Sequence, residues 1–178
     1  MNRSRSLQHM RLVRSPSLAA TALSLLVLAC VPPTEALSGV VVETDATSYI
    51  AEALPGTPPR TQYAFRVIVR TTNGSRQTVR IGRCNPESAV PIFGVELHPE
   101  SAGSRSAFSP VWACVGGVPP IEIRPGSVRV DTLTIQGPTV VNGVTGEPVG
   151  VAEGTMVLRL ASENGRVVSN RFSVSLAP

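Results

Sequence analysis

Beyond residue 39, apolar residues recur at every second position in run after run. No window of eleven or more residues there carries a helical period. The clearest segment is 61–84. Tyr63, Phe65, Val67 and Val69 alternate with Ala64, Arg66, Ile68 and Arg70, which gives an extended chain one strongly apolar face. Asn73-Gly74 follows, a pair that favours the tight two-residue turn of a β-hairpin. Gln77 to Cys84 then returns with Val79 and Ile81 on one face and Arg80 on the other. A hairpin is predicted over this segment.

Downstream the pattern repeats in shorter pieces. Phe93, Val95 and Leu97 alternate within 92–98. Phe108, Trp112 and Cys114 share parity across Pro110, which predicts an edge strand or a bulge, because proline cannot donate to a ladder. Ile121 and Ile123 precede a Pro125-Gly126 turn. Residues 128–135 read as a strand whose apolar face switches between Val130 and Leu133, as a bulge requires. Met156, Leu158 and Leu160 alternate with Val157 and Arg159. Asn164-Gly165 predicts a second hairpin turn, and Phe172, Val174 and Leu176 close the chain. With a weak strand at Val40–Val42 these make an all-β antiparallel β-sandwich of about seven to nine strands.

The first thirty residues follow a different rule. Arg3, Arg5, Arg11 and Arg14 precede an uncharged stretch over 15–29 that ends in Leu, Val and Ala. A basic start, a short apolar run and a small residue before a cut describe an export signal. The uncharged run holds 15 residues, short of the roughly 20 that span a bilayer. Val27-Leu28-Ala29-Cys30 resembles the lipobox of bacterial lipoprotein precursors. That resemblance implies cleavage after Ala29, a diacylglyceryl group on the Cys30 thiol and acylation of the new amine. Val31, not an aspartate, after the cysteine implies the outer rather than the inner membrane, by analogy with lipoprotein sorting. The alternative is a plain signal peptide cut at a site such as that after Ala36. The expected organisation is a signal peptide over 1–29, a lipidated tether over 30–39 stiffened by Pro32 and Pro33, and a domain over 40–178 facing the periplasm.

Charge sharpens this division. All sixteen basic residues are arginine; four lie in the leader, and the remaining twelve balance twelve acids. A mature chain without net charge lacks the electrostatic footprint of a nucleic-acid binder.

With Cys30 lipidated, Cys84 and Cys114 form an even pair in an oxidising compartment, and a disulfide is the expected state. Two buried free thiols are the alternative. Trp112, two residues before Cys114, is expected to cover that bond in the core. This resembles immunoglobulin domains in architecture, although the cysteine spacing differs. His98 is the single histidine beyond the leader; with no cysteine cluster or carboxylate set it makes no metal site of ordinary ligand count. No lysine occurs, and neither aspartate, Asp45 or Asp131, sits in an acid–base motif. A catalytic base for a serine or cysteine nucleophile is therefore missing, and neither an enzyme nor a cofactor is expected.

Residues 137–154 stand apart with five glycines and two prolines. Val140, Val141, Val144, Val149 and Val151 are accompanied by only two charges, Glu147 and Glu153. An apolar loop held on a rigid scaffold is a candidate protein-binding surface. The alternative is that Thr139 to Val144 form one more buried strand. The strand and Asn-Gly turn of 61–84, Ile121-Glu-Ile-Arg-Pro-Gly126 and Gly154-Thr-Met-Val-Leu-Arg-Leu160 resemble segments of the intracellular proteinase inhibitor family and related bacterial immunoglobulin-like domains. That resemblance implies an immunoglobulin-like fold and, in second place, a protease inhibitor presenting an exposed loop. The function expected first is a lipid-anchored, non-catalytic binding or scaffolding module of the cell envelope, with the membrane and a protein as partners. A small secreted hydrolase is the third reading.

Overall fold

The alternation of β-branched and aromatic residues with polar ones becomes alternating burial, strand by strand. In a computed structural model, residues 37–55, 61–100, 104–114, 116–139, 144 and 149–178 are described. The predicted leader, Cys30 and most of the tether lie outside them. Among the described residues there is no helix. Ten strands follow one another: β1 (Val40–Thr44), β2 (Ser48–Ala53), β3 (Tyr63–Asn73), β4 (Val79–Ile81), β5 (Phe93–Leu97), β6 (Ile121–Ile123), β7 (Val128–Gly137), β8 (Gly154–Leu160), β9 (Val167–Val168) and β10 (Phe172–Leu176).

The all-β sandwich is observed, with one more strand than expected and one departure from antiparallel pairing. β3 pairs antiparallel with β1 and β7, and at its start with β2. β2 pairs parallel with β10, Tyr49 opposite Val174, and so carries the ladder into a second layer of β10, β8 and β5, with β9 alongside β8. β4 and β6 form a separate two-stranded ladder. Two strands are absent from the sequence-based expectation, the two-residue β9 and β2. The Ser-Tyr-Ile-Ala-Glu-Ala of β2 buries Tyr49 and Ala51 but leaves Ile50 64% exposed, so its apolar residues fall on both faces and blur the two-residue period.

The inward faces meet in one core. Phe65, Val67 and Val69 of β3 are buried together with Leu133 and Ile135 of β7, Met156, Leu158 and Leu160 of β8, and Phe172 and Val174 of β10. Phe65 sits at its centre, 5.5 Å from the Tyr49 ring and 5.1 Å, edge to face, from Phe108. Edge-to-face pairs of this kind add about 1 kcal/mol beyond the area they bury. Leu37 packs on the core, and its N–H donates to the Arg166 carbonyl at 3.2 Å. The domain's contacts thus reach into the segment expected to be tether.

Three local expectations are corrected. Asn73-Gly74 does not close a hairpin between β3 and β4, because β4 pairs with β6. The chain instead crosses from one layer to the other. Asn73 is fully buried and its side-chain amide donates to the carbonyls of Gln77 and Ile123, both at 2.8 Å. Its Oδ1 accepts from the N–H and hydroxyl of Ser75. Second, β7 carries no bulge. Its register with β3 is unbroken from Val128 opposite Thr72 to Gly137 opposite Tyr63. The apolar switch arises because Arg129 and Asp131 occupy the inward parity and pair with each other at 2.6 Å, while Val128 and Val130 face outward. Third, 108–114 is not a strand. Phe108 lies in a turn, and Trp112 to Cys114 have no regular structure.

Candidate functional site

Pro138 follows β7 through a cis peptide bond, and the segment returns at Val149 to lead into β8. Both ends of this connection are fastened by one turn, Ser106–Phe108. The Ala107 N–H donates to the Val151 carbonyl at 2.9 Å, and the Val151 N–H donates to the Arg105 carbonyl at 2.8 Å. On the other side the Thr139 N–H donates to the Ala107 carbonyl at 3.2 Å and the Thr139 hydroxyl to the Ser109 carbonyl at 2.6 Å. Four backbone-directed bonds therefore hold the two ends of the loop to a single short segment.

That segment is rooted in the core. Ser106, Ala107 and Phe108 are buried, and the Phe108 ring packs edge to face on Phe65. The Ser106 hydroxyl accepts from the Phe108 N–H at 3.1 Å and lies 3.5 Å from the Met156 sulfur. Close approach at both ends demands glycine. A side chain at Gly137 would collide with the Ala107 carbonyl and the Phe108 ring. One at Gly150, which holds φ +120°, would meet the Ala107 nitrogen at 2.8 Å.

The predicted loop residues divide accordingly. Val144 is 95% exposed, Val151 is partly exposed although its backbone is fixed, and Val149 is half-buried. Val140 and Val141 lie outside the described residues. Thr139 is exposed with no regular structure, and the rest of the alternative strand, up to 143, lies outside them as well. Cys30 does too.

Cys84 and Cys114 form a disulfide. It joins the chain just beyond β4 to the segment before β6, and Arg83 Nε donates to the Pro119 carbonyl at 2.8 Å beside it. Trp112 does not cover it in a core. The indole is 36% exposed, packs edge to face on Phe93 at 5.3 Å, and donates its N–H to the Phe93 carbonyl at 2.7 Å. Cys114 itself is exposed. Trp112 thus seals the open side of β5, because without a ladder over 104–114 its parity with Cys114 carries no geometric meaning.

His98 is half-buried, and its backbone N–H donates to the Thr155 carbonyl. Among the described residues no group of three or more His, Cys, Asp or Glu could hold a metal ion. Asp45 caps the β1–β2 connection, its Oδ1 accepting from the Ile68 N–H and the Tyr49 hydroxyl, both at 2.8 Å. Burial works against its ionised form, yet the Ile68 N–H, the Tyr49 hydroxyl, its own N–H and the charge of Arg66 outweigh that and lower its pKa. Burial, and next the Asp45 hydrogen bond, raise that of Tyr49. Both groups are engaged in holding the turn.

Sequence reasoning missed the Ser106–Phe108 turn as the root of the loop. The paired glycines at 137 and 150 were the available signal, since each marks a close backbone approach. No protein-family model matches this chain, and no curated protein matches it.

Proposed function

We propose that the protein is a non-catalytic binding or scaffolding module of the cell envelope. Acyl chains on Cys30 hold it to the membrane, the outer one by the Val31 sorting analogy, and it meets a protein partner through the 137–154 connection. The observation that carries this reading is the fastening of that loop. Its two ends are tied to a buried turn while Val144, between them, is 95% exposed. Fastening both ends lowers the freedom that a binding loop has to give up, which favours contact there. Interaction residues tend to sit on such scaffold-held loops.

Replacing residues 140–148 by a Gly-Ser linker tests the loop. The clamp residues Thr139, Gly150 and Val151 remain, so the domain is expected to keep its melting temperature and lose its co-purifying partner. Retention of the partner by the folded variant overturns the role given to the loop. Metabolic labelling with a fatty-acid analogue tests the anchor. The wild type is expected to take up label, and Cys30→Ser to lose both label and membrane retention. A labelled serine variant refutes acylation at Cys30.

The same fastening favours a second reading, a protease inhibitor that presents this loop as an exposed segment. Incubation with a panel of proteases separates the two: inhibition that disappears with the 140–148 replacement supports the inhibitor.

A further inference from the structure

A patch of the outer sheet face differs in character from the rest of the surface. Val41 of β1, Thr72 of β3 and Val128 of β7 stand opposite one another across three strands. Val130 lies one outward position further along β7. Val41, Val128 and Val130 are 51%, 50% and 55% exposed. Strands stand about 4.8 Å apart, so Val41 and Val128 flank Thr72 across about 10 Å, with Val130 next to Val128 along β7. Large apolar residues gathered on an exposed face mark a contact surface more often than scattered ones do.

Charge is uneven here in a chain that is otherwise balanced. Arg70 sits opposite both Glu43 and Val130, and Arg76 and Arg124 are exposed in the two turns at this end of the sheet. Among the described residues on these strands and turns, Glu43 is the one outward-facing acid set against Arg70, Arg76 and Arg124, while Arg66, further along β3, faces the charge of Asp45. None of these four arginines is in a salt bridge among the described residues.

The chain also enters the domain here. The Gly74 N–H donates to the Gly39 carbonyl at 2.7 Å, which ties the start of β1 to the turn after β3. Six residues lie between Cys30 and Leu37, the first described residue. At no more than about 3.6 Å for each of the seven steps, their greatest reach is about 25 Å. A domain held by Cys30 therefore keeps this end within that distance of the bilayer.

We propose that the Val41–Val128–Val130 face, rimmed by Arg70, Arg76 and Arg124, rests on the anionic surface of the membrane that holds the protein. The inference rests on acylation at Cys30. Valines on a sheet reach only the boundary between headgroups and acyl chains, and arginines near an anionic surface are attracted to it over about a Debye length. The contact is too weak to anchor the domain by itself, but it orients a domain already anchored. It lays β7 along the bilayer surface, with the 137–154 connection at the strand's other end from Val128.

Tryptophan quenching in the acylated full chain tests this. Val128→Trp and Val41→Trp are made with Trp112 retained, and Val111→Trp, at a position 70% exposed beside Trp112, serves as control. Each protein is reconstituted into phosphatidylcholine–phosphatidylglycerol vesicles with brominated acyl chains. Emission from the first two variants is expected to be quenched well beyond that of the wild type, and Val111→Trp is expected to match the wild type. Equal quenching of all three in protein that floats with the vesicles overturns the inference. Quenching unchanged in phosphatidylcholine alone overturns the role of the arginines. Failure to float or to carry acyl label is a failure of the anchor and shows up separately.

Discussion

Two Asn-Gly pairs in this chain lead to opposite outcomes. Asn164-Gly165 closes a hairpin, with Leu160 of β8 opposite Val167 of β9. Asn73-Gly74 sends the chain out of one layer and into the other. The dipeptides are identical and the burial is not. Asn164 is exposed, and its Oδ1 accepts one backbone N–H, from Arg80, at 3.1 Å. Asn73 is fully buried and makes four hydrogen bonds that bridge β3, the Ser75 turn and β6. Gly165 holds φ 142°, whereas Gly74 stays out of the left-handed region. An Asn-Gly pair encodes a change of direction, but the surroundings of the asparagine amide decide which strand receives the chain.

Removing the buried amide is the most direct way to break this contrast. Asn73→Ala removes the amide partner of the Ile123 carbonyl and of the Ser75 N–H, while the Ser75 hydroxyl keeps the Gln77 carbonyl, and is expected to cost about 3 kcal/mol, as buried groups left unpaired do. Denaturant unfolding measures it, and a loss below about 1 kcal/mol would put Asn73 on a par with Asn164. Removing the disulfide is expected to cost a similar amount. It closes a loop with a sequence separation of 30, worth about 3–4 kcal/mol in chain entropy. Because β4 is held to β6 by Asn73 at one end and by Cys84–Cys114 near the other, Cys84→Ser and Asn73→Ala together are expected to depart from additivity. Unreactive thiols after denaturation without reductant check that the bond is present.

Asn164→Ala is expected to cost about 0.5–1 kcal/mol, the value of one exposed hydrogen bond. The smallest effect lies in a third turn, where Asp45 does with a carboxylate what Asn73 does with a neutral amide. Its folded pKa is lowered, so its contribution is present above the unfolded value of about 3.9 and is lost as pH falls through the folded one. Solvent screening keeps this contribution below about 1 kcal/mol. Asp45→Asn is expected to flatten the acid limb of a stability–pH profile, and Asn73→Ala to leave its slope unchanged.

These contrasts explain which parts of the molecule were legible in the sequence. Elements with a strict two-residue period, such as β3 and β10, followed from alternation alone because each buries one face. β2 was not legible, since Tyr49 and Ile50 are adjacent apolar residues on opposite faces. β7 was legible as a strand but not as a regular one. An inward ion pair, Arg129–Asp131, takes positions that pattern reading assigns to apolar side chains. The disulfide was legible from the two cysteines left over beyond Cys30, whereas the place of Trp112 was not, because a run broken by Pro110 carries no strand parity. At the candidate site, composition marked the 137–154 loop but gave no hint that Phe108, some thirty residues earlier, roots it in the core.

The parallel pairing of β2 with β10 places Ser48 opposite Ser173 and Ala51 opposite Leu176. A ribosome makes the first of these strands more than a hundred residues before the second. Until β10 emerges, β2 has no neighbour on that side, and the two layers cannot be joined through it. Contacts between such distant segments form late, because the intervening loop must be closed first. The β1–β3–β7 ladder needs no residue beyond β7 and can assemble earlier. The seam between the layers is therefore the last part of the domain to close, and any event that separates β10 from β2 opens the sandwich there first.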